Sequence, residues 1–333
     1  MRIGLFTDGL KHMTRRDALA WAAAEGITDV EMSVGTWGAR THLDLAALLH
    51  DESARDELRR DLDDAGIRFS AVNAASNPLH PDPAERARAQ AAVKGAVELA
   101  ALLGIDRVVT MAGSPGGRTG GGIGVFGLWS VANDDEPIWT WQMEHEVGPY
   151  WRAMSDWMGT AAPDVRICLE LHPGVSVWTL ESYRALREHC DANIGVNLDP
   201  SHFWWQGADP IRVIEALAAQ IGPVIGWCHG KDTTLYPERI ALNGVMDHRF
   251  PVDASWAPWH FSAIGDGHDA ATWTRLIAAL QAAGHDSVVS IEHEDPSLTP
   301  EECIRRSVVT LRQALAGLSA APEPVAPERA SAG

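Results

Sequence analysis

Four segments of the sequence end an apolar run in an acid or a histidine. They are Ile167-Cys168-Leu169-Glu170, Ile194-Gly195-Val196-Asn197-Leu198-Asp199, Val224-Ile225-Gly226-Trp227-Cys228-His229 and Ser287-Val288-Val289-Ser290-Ile291-Glu292. Short apolar runs of this kind read as buried strands, so each ionisable group stands where a strand leaves the core. Three carboxylates and one imidazole converging on one point suit a hard or borderline divalent ion. Mn2+, Mg2+ and Co2+ all fit better than zinc held by thiolates. Taken singly, each acid is an ordinary capping or salt-bridging residue. Placement at four successive strand ends is what points to metal chemistry.

Other groups can move protons beside such an ion. His145, in Met143-Glu144-His145-Glu146, opens a helix just after a long loop and is the favoured base. A histidine flanked by acids on a helix is ordinarily a surface residue, and only its place beside a loop that could close raises its functional weight. His202, three residues after Asp199, can orient the metal or touch substrate hydroxyls, and Lys231 with Asp232 can ion-pair across the same rim. His172 and His293 are of similar kind. Of the 14 tryptophans, Trp129, Trp139, Trp141, Trp204, Trp205, Trp227, Trp256 and Trp259 fall in or beside rim loops. Trp227 reads as core, and the others as stacking platforms for a sugar face or an aromatic group. No arginine cluster suited to a phosphorylated sugar is present, Arg239 and Arg249 alone following His229 in its long loop.

The elements that must position these residues alternate strictly. Strands are expected at 2–6, 28–32, 67–73 and 105–111, and then before Glu170, Asp199, His229 and Glu292. Helices are expected at 15–25, up to 65, and over 83–103, 141–159, 180–189, 211–220, 270–283 and 300–315, with Thr14 a helix cap and Gly66 and Gly104 helix stops. Eight strand-helix units in series mean a single (β/α)8 TIM barrel over residues 1–316 more readily than an open sheet. Residues 112–137 break the rhythm with a Gly-rich stretch. No Walker lysine follows it, so a lid is a better reading than a phosphate loop. The Pro- and Ala-rich residues 317–333 read as a disordered tail.

At 333 residues with 46% hydrophobic content, the chain can build one large core. A formal charge of −18 excludes the clustered basic footprint that nucleic acid or an anionic membrane requires. With no long apolar span or signal-like start, the chain reads as soluble and cytoplasmic. Cys168, Cys190, Cys228 and Cys303 show no zinc-type spacing and read as small buried hydrophobes.

Together, Glu170, Asp199-Pro-Ser-His202, His229-Gly-Lys-Asp232 and Ser290-Ile-Glu-His-Glu-Asp295 resemble the xylose-isomerase-like superfamily of sugar isomerases and epimerases, from Ile3 to the last helix. The resemblance implies that these positions carry a divalent metal, commonly manganese, gripping two sugar oxygens. A DNA-repair branch of the fold adds early-strand histidines, which Phe6-Thr7-Asp8, Met32-Ser33 and Asn73-Ala74 lack. The Ser-Ile-Glu-His-Glu-Asp ending is similar to that of the catalytic α subunits of bacterial C-glycoside deglycosidases. That subgroup implies a carbon-carbon lyase acting on 3-oxo C-glycosides. Proton removal beside the ketone would expel an aromatic aglycone, and a small accessory β subunit is an expected partner. Reprotonation elsewhere would make the same site an isomerase or epimerase, and an oxygen-linked aglycone a 3-oxo-O-glycoside eliminase. A non-catalytic sugar-binding or scaffolding subunit with a structural metal is the alternative outside enzymology.

Overall fold

The structure, a computed structural model, describes residues 1–117, 138–246 and 255–320, the side chains of 319 and 320 excepted. Its strands are, in chain order, β1 (Arg2–Phe6), β2 (Asp29–Ser33), β3 (Arg68–Asn73), β4 (Arg107–Met111), β5 (Arg166–Glu170), β6 (Ile194–Leu198), β7 (Ile225–Gly230), β8 (Asp232–Leu235), β9 (Trp259–Ser262) and β10 (Val288–Ile291). Eight of them close a parallel barrel in the order β1-β10-β7-β6-β5-β4-β3-β2, while β8 and β9 pair as an antiparallel hairpin. The (β/α)8 expectation is therefore met. Closure matters for the site because Leu5 pairs with Val30 on one side and Ile291 on the other, bringing the first and last strands together.

The helices are α1 (Arg15–Ala24), α2 (Leu45–His50), α3 (Glu52–Ala65), α4 (Pro83–Leu103), α5 (Ile138–Gln142), α6 (Gly148–Ala161), α7 (Leu180–Leu186), α8 (Pro200–Trp205), α9 (Pro210–Gln220), α10 (Pro237–Asn243), α11 (Ala270–Ala282) and α12 (Pro300–Ala320). Thr14 caps α1 by accepting from the Asp17 amide. Gly66 and Gly104 end α3 and α4 at φ 67° and 71°, a left-handed conformation that costs glycine no Cβ clash.

A small inner cluster of Ala71, Val109, Cys168, Trp227 and Val288 fills the barrel. A larger apolar shell, including Trp151, Trp273 and Tyr183, lies between strands and helices. Gly226 admits the inner packing, since a Cβ there would stand 2.6 Å from Cys168 Sγ. All four cysteines are buried free thiols. At the strand starts, fully buried Asp29 accepts from Arg2, Arg68, Ser70 and Thr28. Burial pushes its carboxyl up, but the four donors outweigh that and hold it at about 2.

Several expectations need correction. The 141–159 helix is interrupted by a π-helical turn at Met143–Val147, after which α6 starts at Gly148 with Pro149 in its first turn. The stretch after His229 is not simply a loop but holds the β8-β9 hairpin and α10. The last helix runs to Ala320, past the expected Ala316 limit. Residues 118–137 of the expected lid, with Trp129, lie outside the described residues, as do Arg249 and residues 321–333 of the expected tail. Among the described residues no helix is long and apolar enough to cross a membrane.

Candidate metal centre

Each of the four strand-end residues reaches the same point by a different local device. Glu170 is the last residue of β5, and its Oε1 accepts from His202 Nε2 at 2.9 Å. Asp199 caps α8 with one oxygen, Oδ1 accepting from the Ser201 amide at 2.9 Å, which leaves Oδ2 for the barrel mouth. His229 lies within β7, and Glu292 follows β10 directly. One donor atom from each of Glu170, Asp199, His229 and Glu292 lies within 4.8 Å of the other three. An ion at roughly 2.0–2.2 Å from such donors would need them no more than about 4.4 Å apart, close to the separation found.

The donor set passes a second test of fit. Asp199 Oδ2 and His229 Nδ1 are buried without a hydrogen-bond partner, although Lys231 Nζ lies 3.1 Å from the former as an ion pair. Buried polar atoms are normally satisfied, and these two face the shared point. His229 Nδ1 lies 3.2 Å from Glu170 Oε2 and 3.3 Å from Glu292 Oε2. A ring nitrogen between carboxylates is arranged for a cation. Burial alone would raise the Glu170 and Glu292 carboxyls. His202 and His229 instead draw Glu170 well below the usual range, while Lys231 and His229 hold Glu292 at about 2.

The other expected residues divide. Lys231 is buried, with Nζ 3.1 Å from Asp199 Oδ2, 2.8 Å from Glu292 Oε2 and 2.7 Å from Glu294 Oε2. It also sits 4.4 Å from the Phe261 ring centre. His202 packs between Glu170 and Asp199 and meets His172 edge-on at 4.2 Å. Desolvation, then the His202 charge, push His172 down to about 3, so it stays neutral. His145 is not brought to the cluster. It stands exposed on the π-helical turn, stacked on Trp141, with Nδ1 3.0 Å from the Trp141 carbonyl. Asp232 turns away to bind His268, Trp273 and the 265–268 backbone.

A cavity of about 340 Å3 opens beside Glu292, lined by Phe6, Asp8, Lys11, Trp37, Met111 and Glu294 among others. That is a volume suited to a small ligand. Trp37, 55% exposed, was not among the expected rim tryptophans. Of those that were, Trp205 stacks on Trp259 and Trp204 on His268, while Trp139 donates to the Ser176 carbonyl. Trp227 is core, as read, yet its Nε1 donates to Glu31. Glu31 itself was missed. It is fully buried on β2 and lies 3.0 Å from His229 Nε2.

Comparison with known proteins settles the lineage. The family described as "Xylose isomerase-like TIM barrel" matches residues 19–314. The chain belongs to this family. Proteins similar to it include the uncharacterized protein YfiH of Bacillus subtilis (strain 168). That protein is 32% identical over 317 residues, covering 95% of this chain and 99% of YfiH. Among solved structures, the probable 3-DHS dehydratase AsbF of petrobactin synthesis from Bacillus anthracis aligns with TM-score 0.65 at 17% identity. The alignment covers 94% of this chain and 99% of AsbF. The IolI protein with a bound zinc atom aligns with TM-score 0.63 at 22% identity, over 96% and 99% of the two chains. At these identities the two likenesses establish the fold.

Proposed function

We propose that this chain is a divalent-metal-dependent enzyme that removes a proton beside the ketone of a sugar-derived substrate. In the finer reading the substrate is a 3-oxo C-glycoside and the product an expelled aromatic aglycone. The observation that carries the proposal is the convergence of Glu170, Asp199, His229 and Glu292 within 4.8 Å beside the cavity. The zinc atom in IolI, a barrel of the same fold, supports a divalent ion. Three carboxylates and one imidazole suit manganese, with magnesium, cobalt or zinc as competitors. Such an ion, when bound, draws electron density from a ketone oxygen and a neighbouring hydroxyl and so acidifies the adjacent C–H.

The chain's own residues supply the remainder. Glu294 lines the cavity and is not needed as a ligand, which makes it the proton acceptor in this reading. Lys231, bridging Glu294 to Glu292, holds that carboxylate over the substrate's position. His202 fixes Glu170 through Nε2. As the C–H bond breaks, its electron pair forms a carbon-carbon double bond and the bond to the aglycone opens, the aglycone carbon taking up the proton held by Glu294 or one from water. Phe6 and Trp37 offer apolar faces for the ring systems. Among the described residues no arginine lines this cavity, though Lys11 does.

The family's description favours a second reading, in which the proton returns to another carbon, making the enzyme an isomerase, or to the opposite face of the same carbon, making it an epimerase. One experiment separates the two. The protein, with Mn2+ and with any accessory subunit supplied, is incubated with a 3-oxo C-glucoside, a 3-oxo O-glucoside and free ketoses. Release of the C-linked aglycone that stops on chelation supports the lyase reading. An intact C-glucoside with interconverting ketoses replaces it by the isomerase reading.

A further inference from the structure

We infer that Glu31 is the positioning residue of this centre, fixing His229 so that Nε2–H is donated inward and Nδ1 is left to ligate. The inference rests on the metal reading of the four-residue cluster and deepens it.

Glu31 has no exposed surface, and an ionised carboxylate so placed is costly unless hydrogen bonds replace its water. Four donors do so. Asn73 Nδ2 gives Oε1 a bond of 2.7 Å, while Trp227 Nε1 and Ser290 Oγ each reach Oε2 at 2.8 Å. The fourth is His229 Nε2, 3.0 Å from Oε1 and 3.1 Å from Oε2. The donors come from β3, β7 and β10, so the cradle forms only when the barrel closes. A carboxylate has about four acceptor positions, and all are in use, which leaves Glu31 none for a substrate.

The consequence for His229 follows from the chemistry of the ring. A carboxylate can only accept, so Nε2 must carry the hydrogen it shares with Glu31. In the neutral ring Nδ1, which faces Glu170 and Glu292, is then the nitrogen with a lone pair to give. Ligating histidines are commonly held by such a carboxylate on the far nitrogen, and its loss typically weakens metal affinity about 10–100-fold. Glu31→Gln keeps the shape but puts an NH2 group against at least one of the existing donors. That clash favours the other tautomer and turns N–H toward the ligands.

The test compares wild type, Glu31→Gln and Ser290→Ala by chelator competition for Mn2+ and Co2+. It adds the Co2+ absorption spectrum and the melting temperature in excess chelator. Glu31→Gln should weaken both ions by roughly 10–100-fold and alter the Co2+ spectrum. Ser290→Ala, which leaves the charge and the Trp227 and His229 donors to Oε2 in place, should fall between it and wild type. A merely structural role would lower the melting temperature in chelator while leaving the affinity of folded protein and the Co2+ spectrum unchanged, and would overturn the inference. If Glu31→Gln does not fold, Ser290→Ala decides: wild-type affinity and spectrum there overturn it. Failure of wild type to bind either ion would instead defeat the metal reading itself.

Discussion

Lys231 is the cation that the sequence itself delivers to the centre, and removing it should make the fold depend on metal. Burial pulls its ammonium pKa down, but the charges of Asp199, Glu292 and Glu294 more than offset this and raise it well above the usual value. Lys231→Met keeps the stem's packing on Phe261 and leaves the buried acids without that counter-charge. Removing one partner of a buried pair costs about 3–5 kcal/mol. Because Glu294 is 47% exposed and partly solvated, the lower end, about 3 kcal/mol, applies. At roughly 2 °C per kcal/mol for a domain of this size, melting in chelator should fall by about 5–8 °C. The same deletion removes a positive charge that competes with the ion, so Mn2+ should bind more tightly and the gap should narrow on adding it. An ion at about a hundred times its Kd returns about 2.7 kcal/mol. The assay is thermal denaturation of both proteins in chelator and in excess Mn2+. Equal melting temperatures in chelator, or a gap indifferent to Mn2+, would refute the reasoning.

Three further outcomes follow from the structure. Asp29 is held at about 2, below the value near 4 of an unfolded chain, so its contribution is present above about pH 4 and is lost as pH falls toward 2. After discounting for the exposed arginines, Asp29→Asn should cost about 1–2 kcal/mol at neutral pH and flatten the acid limb of a urea-denaturation series; an unchanged acid limb would contradict the assignment. His145→Ala should retain most turnover, since the residue touches Trp141 rather than the centre, and a loss of a hundredfold or more, within the range of about 10²–10⁴ for general-base removal, would return it to the mechanism. Trp37→Ala should raise KM several-fold with little change in kcat if the ring only binds, a loss of about 1 kcal/mol; a fall in kcat at constant KM would show that it acts in the chemical step.

The barrel was legible because hydrophobic runs and helix stops recur in strict order, and the convergence of Glu170, Asp199, His229 and Glu292 was legible because each ends such a run. Glu31 was not. It lies inside Asp29-Val30-Glu31-Met32-Ser33, where alternating acids read like the solvent face of a strand, yet all five residues are buried. Only closure of β1 between β2 and β10 turns that face inward and sets Glu31 against His229, 198 residues away. His145, which the structure does not bring beside the four, is a different case. Its apparent nearness to the rim was inferred from the length of the preceding loop, which says nothing of the direction in which a π-helical turn projects a side chain. The hairpin after His229 was hidden by its shortness, since two strands of four residues separated by a helix and a loop carry little periodic signal.

Divalent-metal stoichiometry, measured on wild type and Glu170→Gln stripped of metal and then titrated with Mn2+, tests the central claim most directly. The geometry predicts one tightly bound ion per wild-type chain. In Glu170→Gln, where an amide replaces one of three carboxylates, the affinity should drop sharply while the fold persists. A wild-type chain that takes up no ion, or a Glu170→Gln chain that binds as tightly as wild type, would contradict the assignment of Glu170, Asp199, His229 and Glu292 to a metal.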